Sequence, residues 1–234
     1  MTAASVVFGL ASSARLQAET LIVPGSADPW LAGMPDGSTA SWEDTAPGQS
    51  PVLYLINSPQ IVGLSFSATG STHHGPGILR DADGDPSMEV VSHSAGAENG
   101  ISDVTSPISS LLGVFLDDTQ PDQSSAPSAL SFSTAESPDY LVLSPGLKQV
   151  FFIGDGFNSA SQLQVVEVPP GATRLFLGTM DGYGWWNNVG ELVVEVLPIV
   201  TDPVPVPEGT TVLSGLALGT LIAAGIWRRR QAQS

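Results

Sequence analysis

The chain contains no cysteine. That excludes a disulfide framework and all thiol chemistry, though not export. Basic residues are almost as scarce. Of the seven, three are Arg228, Arg229 and Arg230 at the C-terminal end and one is Arg15. Only Arg80, Lys148 and Arg174 remain in the body, against 23 acidic residues between Glu19 and Glu208. The stretch from 19 to 208 therefore carries a formal charge near −20. Such a surface repels nucleic acid and anionic membranes. It suits plain solubility, or the binding of divalent cations. No nucleophile elbow, phosphate-binding loop or zinc-protease helix is present. The many carboxylates could supply a glycosidase pair, but spacing in a β protein does not show which ones face each other. A polysaccharide hydrolase is a distant alternative, and the residues favour a non-enzymatic module.

Helical periodicity is also missing from the interior, and what is there reads as β structure. The 234 residues suffice for one domain with two removable ends. Strands are predicted at 21–23, 51–56, 61–66, 111–116, 148–153, 162–168, 174–178 and 191–196, from short apolar or alternating runs bounded by turn residues. Residues 24–50 are rich in Gly, Pro, Ser, Asp and Thr and should be mostly loop. Residues 69–110 read as one long polar connection. The natural class is all-β, an antiparallel β-sandwich of jelly-roll type spanning residues 19–197.

The two ends differ from the body. Residues 1–18 are small and largely apolar, and Leu16-Gln17-Ala18 ends in the small residue that signal cleavage prefers. This is the pattern of a secretory signal peptide without its positive n-region, a short helix of the mature domain being the alternative. Residues 198–211 form a proline-rich spacer. An apolar run of 16 residues, 212–227, then leads into the basic tail 228–234. As a helix it would span about 24 Å, slightly less than a hydrocarbon core. The arginines keep that end cytoplasmic and the body outside. A buried core helix and a permanent tail anchor are the other readings of this run.

The order Pro207-Glu208-Gly209, apolar helix, Arg228-Arg229-Arg230 resembles the PEP-CTERM sorting signal of Gram-negative bacteria. The family motif is Pro-Glu-Pro, and Gly209 stands at its third position. The resemblance implies recognition by an exosortase-type membrane transpeptidase that cuts near the motif. It also implies a body destined for the cell envelope or extracellular polysaccharide.

The richest cluster of side chains runs from Asp181 to Gly190: Asp-Gly-Tyr-Gly-Trp-Trp-Asn-Asn-Val-Gly. Asp181, Asn187 and Asn188 are hard oxygen ligands, and calcium takes six to eight such oxygens. Tyr183, Trp185 and Trp186 offer aromatic faces on which a sugar could lie. The alternative is purely structural, with Asn187-Asn188 a tight turn and the tryptophans a cap on the core.

Val168-Pro-Pro-Gly-Ala-Thr-Arg-Leu-Phe-Leu-Gly178, with Asp181 and Asn187-Asn188-Val-Gly190, resembles the C-terminal strand pair of calcium-dependent galactose-binding lectins of the bacterial PA-I type. A weaker echo lies at Phe66-Ser-Ala-Thr-Gly-Ser-Thr-His-His-Gly75, where the family's first calcium loop falls. The resemblance implies a small jelly roll and a calcium ion held by Asp181, Asn187 and Asn188 together with backbone carbonyls. The spacing from Asp to Asn-Asn is one residue shorter here than in the family.

Two further motifs compete for metal. Asp81-Ala-Asp83-Gly-Asp85 echoes half of an EF-hand loop, but Ser92 occupies its twelfth position, and a solvated acidic loop is the plainer meaning. His73-His74 are adjacent on an extended chain, so they should point apart and chelate poorly. His93 is the only other histidine. Together these features describe an exported protein whose body binds calcium and a glycan, or a structural matrix component with no specific ligand.

Overall fold

The computed structural model describes residues 17–201, apart from Pro76 and residues 85–89. Nearly all of the expected signal segment lies outside the described residues. So do Pro207, Glu208, Gly209, the apolar run 212–227 and Arg228 to Arg230. Among the described residues no helix is long and apolar enough to cross a membrane.

The body is predominantly β, in several sheets. Its strands are β1 (Glu19–Pro24), β2 (Val52–Leu55), β3 (Ile61–His73), β4 (Val90–Ser92), β5 (Val104–Pro107) and β6 (Leu111–Leu116). They continue with β7 (Leu130–Ser131), β8 (Val142–Leu143), β9 (Val150–Phe152), β10 (Val165–Glu167), β11 (Arg174–Thr179) and β12 (Val189–Val200). A five-stranded sheet runs β1-β12-β3-β10-β8, and a four-stranded sheet runs β2-β11-β6-β9. A small third sheet, β4-β5-β7, joins them. Most pairings are antiparallel. The expected all-antiparallel arrangement is corrected at two places, because β8 pairs with β10 and β5 with β7 in parallel.

Alternation explains which faces are covered. Along β12, Leu192, Val194 and Val196 are buried while Glu191, Val193 and Glu195 are exposed. That is the period of a strand with one face on the core and one in water. In contrast, all six residues of β6 are buried. Strand β11 is buried at every position after Arg174. Both faces of this sheet centre must therefore be covered. Leu175 and Leu177 share one face, and Phe176 and Gly178 the other. The second face is covered from the supposed loop of 24–50. A Cβ at Gly178 would meet the Ala27 carbonyl oxygen and the Pro29 ring, and one at Gly33 would meet Leu116. Residues 24–50 are indeed irregular, but Ala27, Trp30, Leu31 and Ala32 are part of the core. Asp28 starts the short 3-10 turn Pro29–Leu31 by accepting the Trp30 amide at 2.8 Å.

The longest element was only half visible in the sequence. Strand β3 extends from Ile61 to His73 and pairs with β12 along almost its whole length. The expected 69–110 connection thus begins five residues later and contains β4 and β5. At the other end, β12 continues through Pro198 to Val200, taking in the first residues of the expected spacer.

Candidate functional site

The β3–β12 ladder delivers two loops to one end of the sheet. Gly70 and Gly190 sit near that end with φ of +97° and +83°. Each faces the opposite backbone closely enough that a Cβ would clash, at Gly70 with the Glu191 carbonyl and at Gly190 with that of Ser71. The two strands therefore cross tightly just before β3 ends and β12 begins. Beyond them lie His73 and His74 on one side and Asn187 and Asn188 on the other.

Asp181 follows β11 into the same place. It is 6 % exposed. Its Oδ1 accepts the Gly182 amide at 2.6 Å. Burial raises its pKa above the ordinary carboxylate range, while the Gly182 and Tyr183 amides, Asn188 and His74 work the other way. A cavity of about 260 Å³ opens here, lined by His74, Val91, Ile108, Asp181, Gly182, Tyr183 and Asn187. The structure therefore brings Asp181 and Asn187 together and adds His74, one of the adjacent histidines expected to chelate poorly.

Asn188 is less open. Its Nδ2 donates to the Gly25 carbonyl at 3.1 Å, and Gly25 O also accepts the Thr179 hydroxyl at 2.7 Å. Its Oδ1 is buried and has no hydrogen-bond partner among the described residues. A buried acceptor left unpaired costs about 1–3 kcal/mol.

The aromatic residues divide. Tyr183 and Trp186 are 56 % and 59 % exposed. Trp185 is fully buried, and its Nε1 donates to the Thr179 carbonyl at 2.9 Å. The expected sugar contact at Trp185 is therefore corrected: it is a core residue, packed against Trp30 and His93. The sequence gives no hint of this split, because both tryptophans sit in one turn and differ only in direction.

His73 and His74 do not point apart as expected. Their rings stack, with centroids 4.3 Å apart and 19° between planes. Strand β3 stops at His73 and the chain turns at Gly75, with φ +89°, so the alternation of an extended strand no longer applies. His73 Nδ1 lies 3.0 Å from the Gly75 carbonyl, and His74 Nδ1 lies 3.4 Å from the Ser109 hydroxyl.

The EF-hand-like run is not assembled in the same way. Asp81 is exposed and its Oδ1 accepts the Asp83 amide at 3.2 Å. Asp83 Oδ1 accepts the Asp155 amide at 2.9 Å, at the edge of a larger cavity that also contains Phe132 and Phe157. Asp85 lies outside the described residues. Among the described residues no three acidic or histidine side chains converge as a ready metal cluster. The Asp181 site would rest instead on one carboxylate and two side-chain amides.

Behind the loop stands a group of acids that the sequence did not reveal. Asp28 and Asp44 are fully buried. Burial raises both pKa values, and Asp181 and Glu98 add to the effect on each. Asp28 Oδ2 has no hydrogen-bond partner among the described residues. No protein-family model matches the chain, and no curated protein matches it.

Proposed function

We propose that this is an exported surface protein, built on a jelly-roll-like sandwich, that binds calcium at Asp181, Asn187 and Asn188. A glycan binds beside the metal. The observation that carries this reading is the small cavity where Asp181 and Asn187 meet His74. The donor set fits a hard cation, since every side-chain ligand offers oxygen. Asp44, Glu98 and Asp181 each add to the rise of the Asp28 pKa, a repulsion that a nearby divalent ion would relieve.

When bound, calcium would supply open coordination positions for a pair of sugar hydroxyls. The chain's own part is to orient Asn187 and Asn188, to desolvate Asp181 and to present Tyr183 and Trp186. Their exposed rings suit the C–H face of a sugar, and the acidic surround disfavours anionic glycans. The module is a binder, not an enzyme. Its route is that of a PEP-CTERM protein: signal segment 1–18, Pro207-Glu208-Gly209, apolar run and arginine cluster, processed by an exosortase-type transpeptidase. The envelope or exopolysaccharide is its destination.

One observation favours a second reading, a matrix component without a specific ligand. Trp185 and Asn188 both have structural roles, in the core and on the Gly25 carbonyl. Calorimetry and thermal melting with calcium decide between the two. Calcium should raise the Tm of the wild type and not of Asn187→Ala/Asn188→Ala, because only a ligand of the native state stabilises it. A chelator-sensitive signal on a glycan array should follow. No calcium response in the wild type would leave the matrix reading.

A further inference from the structure

The turn that carries Asn187 has no cap of its own. Residues Trp185–Asn187 form a 3-10 turn whose N-cap is Gly184, in the left-handed region at φ +73° and with no side chain to accept its first amides. Those amides are satisfied from a segment more than 140 residues earlier. Asp44 Oδ2 accepts the Trp185 amide at 2.9 Å and Oδ1 accepts the Trp186 amide at 2.8 Å. One carboxylate thus holds two successive backbone groups immediately before Asn187.

The choice of a carboxylate has a cost. Asp44 is fully buried; burial raises its pKa, and the charge of Asp181 adds to the effect. A neutral cap would satisfy one amide without burying a charge. A carboxylate satisfies both and adds negative charge behind the cavity. Both effects favour a cation in front of Asp181: the first fixes the direction of Asn187, the second deepens the local potential.

We infer that Asp44 is a positioning residue for the cation site at Asp181, Asn187 and Asn188. It acts as a remote cap on the Trp185–Asn187 turn. This rests on the calcium reading above. It adds that the N-terminal segment covering β11 is part of the binding apparatus as well as of the core.

The test uses the full chain, with calcium alone as the probe. Calcium affinity is measured by calorimetry for the wild type, Asp44→Asn, Asp44→Glu and Asp36→Asn, an exposed control on the same segment. Amide hydrogen exchange is followed without calcium. Asp44→Asn should weaken calcium binding about 10–100-fold, the usual range for a residue that supports a ligand. Asp44→Glu, which keeps the charge but shifts it by one methylene, should lose less, and Asp36→Asn nothing. The Trp185 and Trp186 amides should exchange faster in Asp44→Asn while those of Leu175 and Leu177 stay protected.

Wild-type affinity in Asp44→Asn overturns the inference and leaves the calcium reading standing. Absence of calcium binding in the wild type overturns the calcium reading and this inference with it. If Asp44→Asn fails to fold, Asp44→Glu decides. Weaker binding with a protected β11 supports the positioning role, and wild-type affinity overturns it.

Discussion

The imidazole of His93 stands edge-on to the indole of Trp30, with ring centroids 3.9 Å apart and 75° between planes. Its Nδ1 accepts the Ala95 amide at 3.3 Å, so the ring proton sits on Nε2, 3.0 Å from Glu98 Oε2. Burial pushes the His93 pKa down to about 4. The unfolded chain takes up this proton near pH 6.5, before the folded one does. The His93 contribution to stability is therefore complete above about pH 6.5 and is lost as pH falls toward 4, by about 3 kcal/mol in total. The buried acids act in the opposite sense, so the comparison that isolates His93 is with His93→Gln. Urea unfolding from pH 7 to 4.5 should show a smaller loss in the variant.

Asp28 should show that opposite sense most clearly. Its raised pKa means that it favours folding below the unfolded value and that this is lost as pH rises through the folded value. At pH 7 the group therefore contributes less to stability than at acid pH. Asp28→Asn keeps the cap on the Trp30 amide and removes the charge. The difference in Tm between variant and wild type should move in the variant's favour from pH 4 to pH 7. A difference that does not vary with pH would show that the Asp28 pKa is the same in the folded and the unfolded chain.

The two neighbouring tryptophans should separate stability from binding. Trp185→Ala removes a fully buried ring and its hydrogen bond to Thr179, and should cost about 3–5 kcal/mol. Trp186→Ala removes an exposed ring and should change stability by less than about 0.5 kcal/mol. Denaturant melts measure both. Glycan binding should fail in Trp186→Ala while calcium binding persists.

Gly70→Ala and Gly190→Ala should each destabilise by at least about 1–3 kcal/mol, the range for a side chain forced into a sparsely populated backbone region. Each also meets a carbonyl of the facing strand. Their effect on calcium affinity should exceed that of Gly37→Ala, where a Cβ meets nothing and only the backbone cost remains.

Much of the sheet centre was legible because apolar runs dictate it. Leu111 to Leu116 and Arg174 to Gly178 read as strands and are strands. The far half of β3 was missed because Ser67, Thr69, Gly70 and Ser71 are small and polar. Their place in the sheet is set by the β12 ladder, a contact between residues more than 100 positions apart. Strands β4, β5, β7 and β8 are two to four residues long and leave no periodicity to read. In the site, Asp181 and Asn187 could be singled out by residue type. His74 was legible only as half of a histidine pair, and Asp44 not at all, since nothing in a Gly- and Pro-rich segment says which carboxylate will fold against a turn far along the chain.

Strand β12 also sets direction. Asn188 precedes its first residue, paired near the Pro24 end of β1, while Val200 closes the far end beyond Glu19. At about 3.3 Å per residue, the two ends of β12 lie some 36 Å apart. Thr201 follows Val200, so the Asp181 cavity and the last described residue stand at opposite ends of one strand.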